Sequence, residues 1–83
     1  MEKSIHSARY AMFLRVLRQS RLQAGLTQIE LAKKLDETQT FISKCERGER
    51  RLDVIELREF CRAFGISLGQ FAARLERRLK TKR

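Results

Sequence analysis

The sequence contains no proline and no tryptophan, and it has one histidine and two cysteines among its 83 residues. Each scarcity excludes something. His6 is the sole imidazole, and Cys45 and Cys61 stand outside any Cys-x-x-Cys or Cys/His cluster, so no four-ligand zinc site can be assembled. The same poverty leaves no acid–base or nucleophilic constellation, and neither an enzymatic activity nor a cofactor is expected. No run approaches the ~20 apolar residues of a membrane span. The opening segment MEKSIHSARYAMFLRVLRQ has no signal-peptide cleavage pattern, and arginines interrupt its apolar residues. Both cysteines fall on apolar stripes and read as buried free thiols. That suits a reducing compartment, and a cytoplasmic location is expected.

What is present is a globular, helix-leaning mixture. Hydrophobic residues make up 42% and charged residues 35%, too apolar for a disordered chain. Five phenylalanines and one tyrosine supply the bulky core material. The length suits a single domain over residues 1–83, with a folded core at about 9–75 and a basic C-terminal tail at 76–83. The net charge of +9 implies a polyanionic partner. Its distribution weakens that inference for the folded part, because RLERRLKTKR at 74–83 alone supplies six basic residues against one acid. The tail can equally be a solvated, frayed end. The first four residues are expected to be disordered.

Local signals divide the chain into five helices. Gly25, Gly48 and Gly65 read as helix stops, since glycine enters the left-handed region without a Cβ penalty. Shortly after each comes a start: Thr27-x-x-Glu30, Asp53-x-x-Glu56 and Ser67-x-x-Gln70 are capping boxes. Apolar residues recur at helical spacing. Tyr10, Phe13, Leu14 and Leu17 mark a helix at about 7–24, and Ile29, Leu31, Ala32 and Leu35 one at 28–35. Phe41, Ile42 and Cys45 mark one at 39–47. Val54, Leu57, Phe60, Cys61 and Phe64 mark one at 54–64, and Leu68, Phe71, Ala72, Leu75 and Leu79 one from 68 to about 80. No stretch alternates as a strand would.

The second and third helices are joined by Asp36, Glu37 and Thr38 alone, the spacing of a helix-turn-helix unit. Within LTQIELAKKLDETQTFISKCERGERR, the elements Leu26-Thr27-Gln28, Glu30-Leu31-Ala32, Ile42-Ser43 and Glu46-Arg47-Gly48 resemble the phage-repressor and Cro-like (XRE-type) family of DNA-binding domains. The resemblance covers roughly residues 9–75. It implies an all-α, five-helix lambda-repressor-like domain that binds double-stranded DNA, with its third helix in the major groove. The residues at that position are Thr38, Gln39, Thr40, Ser43 and Lys44, all polar and opposite the apolar face. Gln39 can pair with adenine, Lys44 with guanine, and Thr40 with a thymine methyl, a base or a phosphate. The resemblance assigns phosphate contacts to Thr27 and Gln28 at the start of the second helix and to Arg47, Arg50 and Arg51 around Gly48. It also implies that Gln28 steadies Gln39, and that Glu46 pairs with Arg21 as a structural brace. Two departures from the family stand out. Glu49 sits where a basic residue is common, and Asp36 replaces a common turn glycine.

Such domains usually bind as dimers at half-sites ~34 Å apart. Phe71, Leu75 and Leu79 form a stripe that can contact a second copy or pack on the first helix. The expected function is sequence-specific transcriptional regulation, as a repressor in the first instance. Small domains of this kind also serve as antitoxins that bind a toxin partner and regulate their own operon, and a protein partner is kept as the alternative. A further rival is a basic RNA- or membrane-surface binder driven by the C-terminal tail.

Overall fold

A computed structural model describes the backbone of residues 3–81 and the side chains of residues 8–80. It contains α1 (Lys3–Gln23), α2 (Gln28–Leu35), α3 (Gln39–Arg47), α4 (Val54–Phe64) and α5 (Leu68–Thr81). No strand occurs among the described residues, and the architecture is all-α as expected. No described helix is long and apolar enough to cross a membrane.

The helix ends follow local chemistry. Thr27 and Asp53 each accept from the backbone N–H three residues on, while Glu30 and Glu56 reach back to the cap N–H. Ser67 and Gln70 make the same reciprocal pair, at 2.8 and 3.0 Å. Thr38 caps α3 by accepting from the Phe41 N–H. At the other ends, α3 stops at Gly48 with φ 82° and α2 stops at Asp36 with φ 56°. Asp36 thus adopts the left-handed cap conformation that glycine fills more easily, and the turn of the helix-turn-helix is kept without a glycine. Glu37 N–H closes that turn on the Ala32 carbonyl at 2.9 Å.

All five helices contribute to one core: Val16 and Leu17, Leu31 and Ala32, Ile42 and Cys45, then Phe60, Cys61, Phe64 and Phe71. Phe71 meets Phe13 edge-on at 5.7 Å between ring centroids, joining α5 to α1, and Phe60 meets Phe64 edge-on at 6.3 Å. Both cysteines are free and buried. Burial pushes the Cys45 thiol up to about 11 and raises Cys61 as well, so both behave as apolar fillers.

Several expectations need correction. The first helix starts at Lys3, so Lys3 and Ser4 are helical where disorder was expected; Met1 and Glu2 lie outside the described residues. No glycine or proline precedes Gly25, so nothing interrupts helix propagation toward the N-terminus. Ile29 and Val54 match the helical period but are exposed, at 54% and 59%. Each stands within the first two residues of its helix, before the turn that packs on the core. The fifth helix expected from 68 to about 80 is met by α5, which runs to Thr81, so the basic stretch set at 76–83 begins inside that helix; Lys82 and Arg83 lie outside the described residues. Arg74 donates to Ser20 Oγ at 2.9 Å and Arg78 to Gln19 Oε1 at 2.6 Å, which ties the last turns of α5 to α1.

Candidate nucleic-acid interface

The N-terminal half of α3 is held by a relay of side chains from three other places in the chain. Arg21, near the end of α1, meets Glu46 side-on: Nε donates to Oε2 at 2.6 Å and Nη2 to Oε1 at 3.0 Å. Its remaining Nη1 donates to the Leu26 carbonyl at 2.9 Å. Both side chains are almost fully buried, at 7% and 5% exposure. A charge pair out of water persists only when such bonds satisfy its donors and acceptors, which is the case here. Glu46 Oε1 also accepts from Gln28 Nε2 at 3.0 Å, and Gln28 Oε1 accepts from Gln39 Nε2 at 3.2 Å. A buried ion pair therefore orients Gln28, and Gln28 orients Gln39 on the exposed surface.

The consequence for Gln39 is chemical. One of its two Nε2 hydrogens is occupied by Gln28. What is left is one N–H donor and the Oε1 acceptor, the complement of N7 and the N6 amino group of adenine. Thr38, Gln39, Thr40 and Lys44 are all exposed, while Ile42 and Cys45 of the same helix are buried. Ser43 is half-buried, and its Oγ accepts from Arg47 Nη1. Thr38 and Thr27 both use their oxygens as helix caps, and each hydroxyl keeps a hydrogen to donate.

The three arginines at the end of α3 and in the loop that follows are not equivalent. Arg47 pairs with Glu49 at 2.9 Å on an exposed surface, a type of pair that contributes little and exchanges readily. Arg50 grips Glu56 through two bonds at 2.9 and 2.7 Å, and also lies over the Phe41 ring at 5.1 Å. It fastens the loop to α4. Its guanidinium and a backbone bond from Asp53 hold the Glu56 carboxyl down to about 2. Arg51 lies flat over Tyr10, 4.4 Å from the ring centroid, which anchors the stem and leaves the residue exposed. No sequence signal exposes the Arg50–Glu56 clamp, because its partners are six residues apart across a loop and outside any helical spacing.

Of the stripe on α5, Phe71 is 1% exposed and belongs to the core. It takes the packing role of the two left open and is withdrawn from any contact with a second copy. Leu75 and Leu79 are half-buried and line a groove of about 430 Å³ with Tyr10, Phe13 and Leu57. No cluster of potential metal ligands occurs among the described residues.

Two short helices crossing at a tight turn, the second with a polar exposed face and a braced start, define a helix-turn-helix DNA-binding domain. The Helix-turn-helix family model matches residues 17–71. A solved structure described as an XRE-family like protein from Pseudomonas syringae pv. tomato str. DC3000 is similar at TM-score 0.81 and 49% identity, over 89% of this chain and 90% of that chain. No curated protein matches. The chain belongs to the XRE-type helix-turn-helix family of DNA-binding proteins.

Proposed function

We propose that the protein is a transcriptional regulator, acting as a repressor, that reads an operator in the major groove through Gln39, Thr40, Ser43 and Lys44, with Thr38 at the edge of the contact. The observation that carries this reading is the Arg21–Glu46–Gln28–Gln39 relay. A surface glutamine with no role has no reason to be positioned by a buried ion pair. Thr27 and the backbone N–H of Gln28 at the start of α2 take a phosphate. Arg51 and Arg47 supply further phosphate contacts, which fix register and carry the salt dependence. Arg50 shares that loop but serves first to hold its shape.

The protein acts as a dimer on a two-fold related operator, and the groove bordered by Leu75 and Leu79 is the surface offered to the second copy. Free buried thiols suit a cytoplasmic setting.

Selection of bound sequences from random double-stranded DNA tests the proposal. A palindromic consensus is expected, and the absence of any enriched sequence would sink it. On the selected site, Gln39→Ala and Lys44→Ala should each weaken binding by roughly 1–3 kcal/mol, concentrated at particular base pairs. Arg51→Ala should weaken all sequences evenly and flatten the salt dependence.

A further inference from the structure

One bulky apolar side chain stands in solvent in basic company. Leu22, near the end of α1, is 54% exposed. Val16, Leu17, Ser20 and Arg21 of the same helix are buried, so helical period turns residues 15, 18 and 22 outward together. Arg15 and Arg18 are exposed, and neither takes part in an ion pair among the described residues. The other exposed large apolar residues, Ile29, Val54 and Ile55, do not share this pattern. None of them has two basic residues and no acid at helical spacing within its own helix.

A hollow of fitting size and opposite charge lies between α2, α3 and α4. It has a volume of about 150 Å³ and is bordered by Leu35, Phe41 and Phe60 and by Glu37, Glu56 and Glu59. An apolar space of that volume holds one group of about benzene size. Three carboxylates and no basic residue border it. Glu56 is spent on Arg50. Glu59 meets Arg58 at 3.9 Å on an exposed surface, a pair that contributes little. Glu37 is exposed and takes part in no ion pair among the described residues. Two carboxylates are therefore open to a basic partner at the rim of an apolar hollow.

The chain itself presents the complement. We propose that Leu22 of one copy enters the α2–α4 hollow of a second copy, where Arg15 and Arg18 meet Glu37 and Glu59. Knob and hollow are different surfaces, so the contact runs head to tail and joins copies in line without closing on itself. It uses neither the base-reading residues of α3 nor the groove bordered by Leu75 and Leu79. One inserted side chain and two rim pairs fall short of the ~1,200 Å² that a stable interface buries, so the contact forms at high local concentration. Neighbouring operator sites would supply that concentration, a consequence that rests on the operator reading; the contact itself does not.

The test is a nuclear magnetic resonance dilution series of the full chain at low ionic strength, without DNA. Saturable, concentration-dependent shifts are expected at the Leu22 and Leu35 methyls and at the Phe41 and Phe60 rings. Leu22→Ser, outside the core, should weaken the association about tenfold. Two charge reversals at exposed positions, Glu37→Lys/Glu59→Lys and Arg15→Glu/Arg18→Glu, should each abolish it, and an equimolar mixture of the two should restore it. Each reversal moves the net charge of +9 by four units, up in one variant and down in the other. Both chains stay positive, so bulk attraction cannot bring them together. No concentration dependence in the wild type would overturn the proposal, as would a mixture as silent as its components. Shifts confined to Tyr10, Leu57, Leu75 and Leu79 would also overturn it, and would assign association to the α1–α5 groove alone.

Discussion

Replacing Glu46 with alanine should destabilise the protein out of proportion to the size of the change. The substitution removes both acceptors of a guanidinium whose side chain is 7% exposed, and it also strips Gln28 Nε2 of its partner. Arg21 cannot discard its charge, and the Leu26 carbonyl satisfies only one of its nitrogens. Breaking one side of a buried pair costs about 3–5 kcal/mol, because the other charge stays desolvated. Against it stands a total stability of roughly 4–12 kcal/mol for a chain of this length. A fall in melting temperature of at least about 12 °C follows, at ~4 °C per kcal/mol. Thermal and urea unfolding, followed by circular dichroism, measure it. The double variant Arg21→Met/Glu46→Met separates a stranded charge from lost packing. It should recover most of the loss, since an apolar pair of similar volume carries no desolvation cost. A Glu46→Ala loss under about 1 kcal/mol, or a double variant no more stable than the single, would refute the reasoning.

Three other outcomes are expected. Gly48→Ala should cost more than Gly25→Ala. Both glycines are left-handed, but a Cβ at 48 would lie 2.9 Å from Leu14 Cδ1 whereas one at 25 meets nothing within 4 Å. Backbone strain alone sets about 1 kcal/mol for Gly25→Ala, and equal losses in urea unfolding would mean that Leu14 yields freely. Tyr10→Phe should leave stability unchanged or raise it by up to ~1 kcal/mol, because the Tyr10 hydroxyl is buried with no hydrogen-bond partner among the described residues; a clear loss in the same assay would contradict that. The Glu56 carboxyl, held down to about 2 from 4.5, binds a proton more readily in the unfolded chain. Its contribution is fully present above pH 4.5 and is lost as the pH falls through about 2. Melting temperatures from pH 5 to 2 should therefore fall less for Glu56→Gln than for the wild type, and parallel curves would disprove the clamp.

The relay and the clamp show where a linear reading succeeds and where it stops. Helix boundaries were legible because their causes are local: a cap side chain and the N–H it serves lie three residues apart, as at Thr27 and Glu30. The exposed polar face of α3 was legible for the same reason, since helical period separates Thr40 and Lys44 from Ile42 and Cys45. The pairing of Arg21 with Glu46 spans 25 residues and came from family resemblance, not from any spacing rule. The part of the site that depends on where a loop folds back was not legible. Nothing local tells Arg50, clamped on Glu56, from Arg51, stacked on Tyr10.

By itself, then, the sequence determined five helices, their ends apart from the start of the first, and the polar face presented by the third, because each depends on contacts within about one helical turn. Tertiary structure decided the rest. It placed Phe71 in the core beside Phe13, although the α5 stripe alone allowed packing or association equally. It also brought Arg74 and Arg78 of α5 against Ser20 and Gln19 of α1, more than fifty residues away, which no helical period announces. Contacts at that separation depend on how α5 is rotated against α1, and the core sets that rotation.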